Sequence, residues 1–238
     1  MANLIIDIGN TRIKAALFNQ EALLWEAAYE DLAQAKEGFD SLQFEDCLIS
    51  SVRWTYEELR KEFQFDFLFL THETAFPIQN QYASPHTLGL DRIAAAVGAW
   101  SKSGGKPVLA IDLGSCITYE LVTERGQYLG GAISPGLRMR AKAMNQFTAR
   151  LPLVELNQIP TELYGSTTVQ CMQIGIWSGV RYEIVGQING YQQEFPQLKV
   201  FVCGGDAQSF DSLVKDHIFV VPNLVLFGLN AILNHNVE

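Results

Sequence analysis

The chain has 238 residues, 48% of them hydrophobic and 18% charged, with a formal net charge of −9 at pH 7. That is room for one large domain or two small ones sharing a cleft, at the composition of a soluble globular protein. The acidic balance and scattered Lys and Arg exclude a broad nucleic-acid footprint and leave only a local basic pocket; no apolar run nears the ~20 residues of a membrane span and no signal-peptide pattern opens the chain, so neither nucleic acid nor membrane is an expected partner and a cytoplasmic setting is expected.

The first element runs Leu4-Ile5-Ile6 into Asp7, turns through Gly9-Asn10-Thr11 and leaves as an alternating strand to Phe18, with a third strand around Leu23 to Tyr29. A carboxylate at the end of an apolar strand is, on its own, as consistent with closing a hairpin as with binding. Residues 76–89 carry Pro77 and Pro85 and read as extended. Gly89 ends them ahead of a helix with Leu90, Ile93, Ala94, Val97 and Trp100 on its apolar side. Asp91 and Arg92 fall in its first turn, where an acid suits the helix dipole and Arg92 belongs on a solvated face unless it holds an anion.

Residues 108–122 repeat the opening. Asp112-Leu113-Gly114-Ser115 matches Asp7-Ile8-Gly9-Asn10, and alternating residues from Ile117 and a third strand from Gln127 to Ser134 follow it. Two copies of one βββ-plus-helices unit place two acidic turns on a shared cleft. Glycine there admits an oxygen-rich ligand and backbone amides cradle phosphate. A carboxylate meets phosphate only through a cation or water, so the pair implies metal plus nucleotide.

Ser166 to Thr168 then cap a long helix with Val169, Met172, Ile176, Val180, Ile184 and Ile188 as its apolar side; Gly175 and Gly179 call for close packing, within the chain or across a dimer axis. Near the end, Leu198 to Cys203 reads as a strand running through Gly204-Gly205-Asp206 into a helix, a wall suited to the adenosine side of a nucleotide. Cys47, Cys116, Cys171 and Cys203, without a CxxC pair, are expected as buried thiols. The dispersed His72, His86, His217 and His235 give neither a zinc site nor a Cys/His pair.

Six blocks in this order, DIGNTRIK at 7–14, Tyr82 with LGLDR at 88–92, DLGSCIT at 112–118, GGAISPG at 130–136, the Gly165–Thr168 turn and CGGDA at 203–207, resemble type III pantothenate kinases. The resemblance implies an α/β fold of duplicated ribonuclease-H-like domains, 1–105 and 106–238, of the actin, sugar-kinase and chaperone ATPase superfamily, with the nucleotide cleft between them. It implies ATP-dependent phosphorylation of pantothenate to 4'-phosphopantothenate, the first step of coenzyme A synthesis. By position, Asp7, Ile8, Gly9, Asn10, Thr11, Arg12, Ile13 and Lys14 would line the ATP phosphates, with Ser115, Gly204 and Gly205 also on ATP. Tyr82, Gly89, Leu90, Asp91, Arg92 and Thr168 would hold pantothenate, Asp91 being the proton acceptor. Asp112 would bind a monovalent cation, potassium or ammonium, and Asp7 would face hydrated magnesium. A homodimer is implied, in which Thr168 completes the partner's pocket. Where the family has DxGTAxT this chain has Ser115-Cys116-Ile117-Thr118, keeping the hydroxyl, and Glu120 stands where Asp is common. The competing readings are a non-metabolic nucleotide switch of the actin or chaperone kind, which leaves LGLDR unused, and a regulatory accessory protein, which lacks a DNA-binding motif.

Overall fold

Leu4, Ile5, Ile6 and Ile8 are fully buried, so the first strand reads as a continuous apolar run because it is central in its sheet and covered on both faces. The computed structural model describes residues 2–213 and 217–237. In chain order it forms β1 (Ala2–Ile8), β2 (Ile13–Asn19), β3 (Ala22–Tyr29), α1 (Leu32–Phe39), β4 (Asp46–Ser51), α2 (Tyr56–Glu62), β5 (Leu68–Phe69), β6 (Gln79–Asn80), α3 (Leu90–Ser101), β7 (Val108–Leu113), β8 (Cys116–Val122), β9 (Gln127–Pro135), α4 (Leu137–Gln146), α5 (Thr168–Glu194), β10 (Lys199–Cys203), β11 (Ile218–Val220) and α6 (Leu224–Val237). Short 3-10 helices cover Pro85–Thr87 and Ala207–Leu213.

The duplication is explicit in strand order. The first sheet runs β3-β2-β1-β4-β5, and the second contains the same sequence of roles, β9-β8-β7-β10-β11. In each, an antiparallel hairpin (β1 with β2, β7 with β8) is followed by a strand parallel to its first member (β4, β10). The copies differ by one residue at the turn: Ile8 pairs with Ile13, whereas Leu113 pairs with Ile117.

The described residues divide into two units. Those up to 104, with 126–128 and those from 223 onward, form the first; those of 105–125 and 129–222 form the second. The carboxy-terminal helix α6 packs on α3, β1 and β4 of the first unit. Gly98 and Gly228 permit this: a Cβ on Gly98 would collide with the Leu224 carbonyl, and one on Gly228 with the Ala94 carbonyl. The two backbones meet closely, and α3 is buried continuously from Arg92 to Ala99 instead of along a single stripe.

Other sequence expectations shift for local reasons. The segment after Gly204-Gly205-Asp206 is a 3-10 helix broken at Phe210, not an α-helix, and Pro85 opens a 3-10 turn, its fixed φ suiting that first position. On α5 the buried side is Met172, Ile176, Trp177, Val180, Ile184 and Ile188, while Val169, in the first turn, is exposed. All four cysteines are thiols, but only Cys47 and Cys203 are buried; Cys116 is partly exposed and Cys171 exposed. Gly175 has nothing near its absent Cβ, and Gly179 faces the Arg140 side chain, so neither supports a helix crossing within the chain.

Candidate active site

The sheet places the first carboxylate. Asp7, next to last in β1, pairs with Lys14 of β2 on one side and Ser50 of β4 on the other. The chain leaves through Gly9 to Arg12, where the Gly9 N–H donates to the Arg12 carbonyl at 3.1 Å. Asn10, Thr11 and Arg12 are exposed, whereas Ile8 and Ile13 belong to the core and offer only backbone. Burial lifts the Asp7 carboxyl from its ordinary range to about 6; Lys14 and a hydrogen bond with Ser50 pull it down, and the Asp91 charge pushes it further up. Asp7 and Asp91 are thus within electrostatic reach of each other.

Asp91 stands in the first turn of α3, whose N-cap is Gly89, a residue without a capping side chain. Its Oδ1 instead accepts the Arg92 N–H at 2.9 Å. A Cβ on Gly89 would collide with that oxygen, so glycine lets the carboxylate fold back over the helix start. Arg92 is not on a solvated face: it is 8% exposed, with its guanidinium carbon 5.7 Å from the Tyr82 ring centre. Tyr82 in turn lies 6.2 Å from the Tyr128 ring. Leu90 is partly buried. Just before this turn, His72 Nε2 lies 2.9 Å from the Leu88 carbonyl; a carbonyl only accepts, so that nitrogen carries the hydrogen. The first unit therefore groups Asp7 with Asp91, and Tyr82 with Arg92.

In the second unit Asp112 pairs with Thr118 and with Cys203 of the parallel strand β10. Gly204, at φ 94°, lies against the Asp112 carboxylate and the Leu113 backbone so closely that any Cβ would collide with Asp112 Oδ1. Gly205 has open space beside it. The Asp206 N–H donates to the Leu113 carbonyl at 3.0 Å, and the Gly136 N–H to the Ser115 carbonyl at 3.1 Å. Three corners, at 112–115, at 136 and at 204–206, therefore meet around Asp112, with Ser115 exposed. Asp206, its carboxyl raised by burial and lowered by Arg138, lies 3.6 Å from the Arg138 guanidinium.

Thr168 is exposed and opens α5, where Thr167 caps the helix by accepting the Gln170 N–H at 3.2 Å. Sequence reasoning missed Arg138, Arg140 and Glu183. The sequence signal for the first two is their place just after the GGAISPG block; Glu183 has none, because its partners lie on three other elements.

A family model described as type III pantothenate kinase matches residues 3–190. A protein of that description from Bacteroides fragilis (strain YCH46) is 42% identical over 98% of each chain, and one from Cytophaga hutchinsonii is 39% identical over 99% of this chain and all of its own. Among solved structures, a ROK hexokinase from Thermus thermophilus matches over the full length of both chains at 13% identity with a TM-score of 0.55. That likeness shows the fold, which with the repeated strand order is a duplicated ribonuclease-H-like α/β fold.

Asp7 carries a test of this geometry. Because its folded carboxyl holds a proton up to about pH 6, above the ordinary carboxylate range, the native state binds more protons than the unfolded chain between about pH 4 and 6 and loses stability as pH rises through that window. Asp7→Asn is therefore expected to stabilise the protein above pH 6, by up to about 2–3 kcal/mol, with the gain vanishing below pH 4. Paired melting curves from pH 3.5 to 8 measure it; a gain that is absent at pH 7, or that grows on acidification, contradicts the assignment.

Proposed function

This chain belongs to the type III pantothenate kinase family, and on that premise we propose how its residues divide the ATP-dependent phosphorylation of pantothenate, the step that opens coenzyme A synthesis. The observation that carries the reading is that Asp7, at the strand end that opens the Gly9–Arg12 turn, lies within electrostatic reach of Asp91 at the start of α3.

Asp91 is the proton acceptor for the pantothenate hydroxyl. Its Oδ1 is fixed by the Arg92 amide, which orients the carboxylate before substrate arrives. As the hydroxyl oxygen bonds to the γ-phosphorus and the bond to the ADP oxygen breaks, the hydroxyl proton passes to Asp91. Tyr82, Gly89, Leu90 and Arg92 hold pantothenate; the buried guanidinium of Arg92, backed by the Tyr82 ring, suits its carboxylate. Residues 7–14 line the ATP phosphates through backbone amides, the exposed Asn10, Thr11 and Arg12, and Lys14. Ser115, Gly204 and Gly205 serve the rest of the nucleotide.

The residues also fit cations. Asp7 would face hydrated magnesium as an outer carboxylate, and the ion would supply neutralisation of phosphate charge. Asp112, beside the Leu113 backbone and the Gly204 turn, offers an oxygen-rich place for potassium or ammonium. Two chains associate through α5, whose Gly175, Tyr182, Gly186 and Gly190 form an open face following Thr168, so that Thr168 reaches the partner's pantothenate. A cytoplasmic setting, which cell fractionation checks, accords with four cysteines present as thiols.

Three measurements test these assignments. Asp91→Asn is expected to lower kcat by about 10²–10⁴-fold, the usual scale of general-base catalysis, with ATP affinity by calorimetry little changed, while Arg92→Ala chiefly raises the pantothenate KM; near-wild-type kcat in Asp91→Asn makes that residue only a helix-end acid. Potassium or ammonium should activate and sodium do so poorly, with Asp112→Asn blunting the response; equal rates with every cation remove the cation role. Sedimentation velocity should give a dimer at micromolar concentration, and a fully active monomer would end the shared-pocket reading.

A further inference from the structure

Glu183, halfway along α5, is a partly buried carboxylate that gathers donors from three other elements. Oε1 accepts from the Tyr119 hydroxyl of β8 at 2.9 Å and from the Ser134 hydroxyl of β9; Oε2 pairs with Arg140 Nη2 of α4. Both members of the ion pair keep only 23% of their side-chain surface exposed, so this is not a surface pair of negligible worth. Arg140 also donates from Nε to the Pro135 carbonyl at 2.8 Å. The next residue is Gly136, whose N–H donates to the Ser115 carbonyl at 3.1 Å and whose missing Cβ would collide with the Gly114 carbonyl. Glu183 is thereby linked to the Ser115 backbone through Arg140, Pro135 and Gly136.

We propose that Glu183 is a positioning residue for the nucleotide-side turn, fixing Gly114 and Ser115 through Arg140 and the corner between β9 and α4. The proposal rests on the reading that Ser115 contacts ATP. Arginine is required because its planar fork grips a carboxylate and a carbonyl at once, which a single ammonium does not do with the same geometry. Gly179, one helical turn before Glu183, faces the same guanidinium, a Cβ there standing at an ordinary contact distance of 3.7 Å from Arg140 Nη1. Charge distribution agrees. Burial alone would raise the Glu183 carboxyl, but hydrogen bonds from Ser134, Arg140 and Tyr119 outweigh it and hold the group below its ordinary range, while burial and the Glu183 bond push the Tyr119 phenol up. Glu183 is the acceptor and Tyr119 keeps its proton.

The test is steady-state kinetics of the full chain at saturating potassium, comparing Glu183→Gln, Arg140→Lys, their double variant and Ser115→Ala. Glu183→Gln and Arg140→Lys should each raise the ATP KM about tenfold, the scale of one lost charge-assisted hydrogen bond, and leave the pantothenate KM within about twofold. The double variant should be no worse than the weaker single, because both changes break one relay. Arg140→Lys keeps the charge opposite Glu183, so it decides the matter if Glu183→Gln does not fold. An unchanged ATP KM in the variants that fold, or equal damage to both substrates, overturns the proposal. Ser115→Ala separates the two readings: if it raises the ATP KM and the relay variants do not, the relay fails and the nucleotide site stands; if it has no effect, the nucleotide-side reading fails and takes the relay with it.

Discussion

Ionising a carboxyl that the fold has partly removed from water costs free energy, and the chain bears that cost at the end of β1. The sheet makes the position unavoidable: Asp7 lies between β2 and β4, one residue before the strand ends, with Lys14 and Ser50 easing its charge and Asp91 opposing them. Interior positions that hold a charge against its environment are what binding and catalytic sites use, because a cation or a substrate proton relieves them. The parallel strand, the glycine turn and the bare amino terminus of α3 are each arranged around that carboxyl. The first unit gives up stability at neutral pH to keep that carboxyl in place.

The second constraint is how near two backbones come. Around Asp112, Gly136 and Gly204 bring three corners so close that a single methyl group at either glycine would strike a carbonyl or the carboxylate. Neither position is replaceable by a merely flexible residue; what is needed is the absence of Cβ, and at Gly204 a positive φ as well. The same device joins α3 to α6 through Gly98 and Gly228. Chemistry at the turns and packing behind them thus depend on one stereochemical property.

How legible this was follows from range along the chain. The two Asp-x-Gly hairpins and their third strands stand out because local backbone demands fix the residue types at each turn, and these survive duplication. The helix at Leu90–Ser101 was marked by Gly89 and by its apolar residues. The buried state of Arg92 was not, since periodicity places a charged residue outward unless a distant ring such as Tyr82 shelters it. Nor was the allegiance of α6: Leu224, Leu226, Leu229, Asn230, Ile232 and Leu233 are all buried, so the helix lacks the polar face that announces amphipathic packing. Glu183 draws its partners from Tyr119, Ser134 and Arg140, separated from it by 43 to 64 residues, and no local pattern encodes such a junction.

The place of α6 also imposes an order of events on the nascent chain. Asn3 in β1 donates to Asn230 in α6 across 227 residues of sequence, and the Asn230 amide reaches back to the Gln20 carbonyl. The amino-terminal half of the molecule is made first, yet it waits for the last helix before its core is closed, while the segments of the second unit have all been synthesised by then. Long loops of this kind slow assembly because closure entropy is lost before the contact rewards it. Until α6 has been made, the α3 surface that it covers, which includes Ala94 and Gly98, is without that cover.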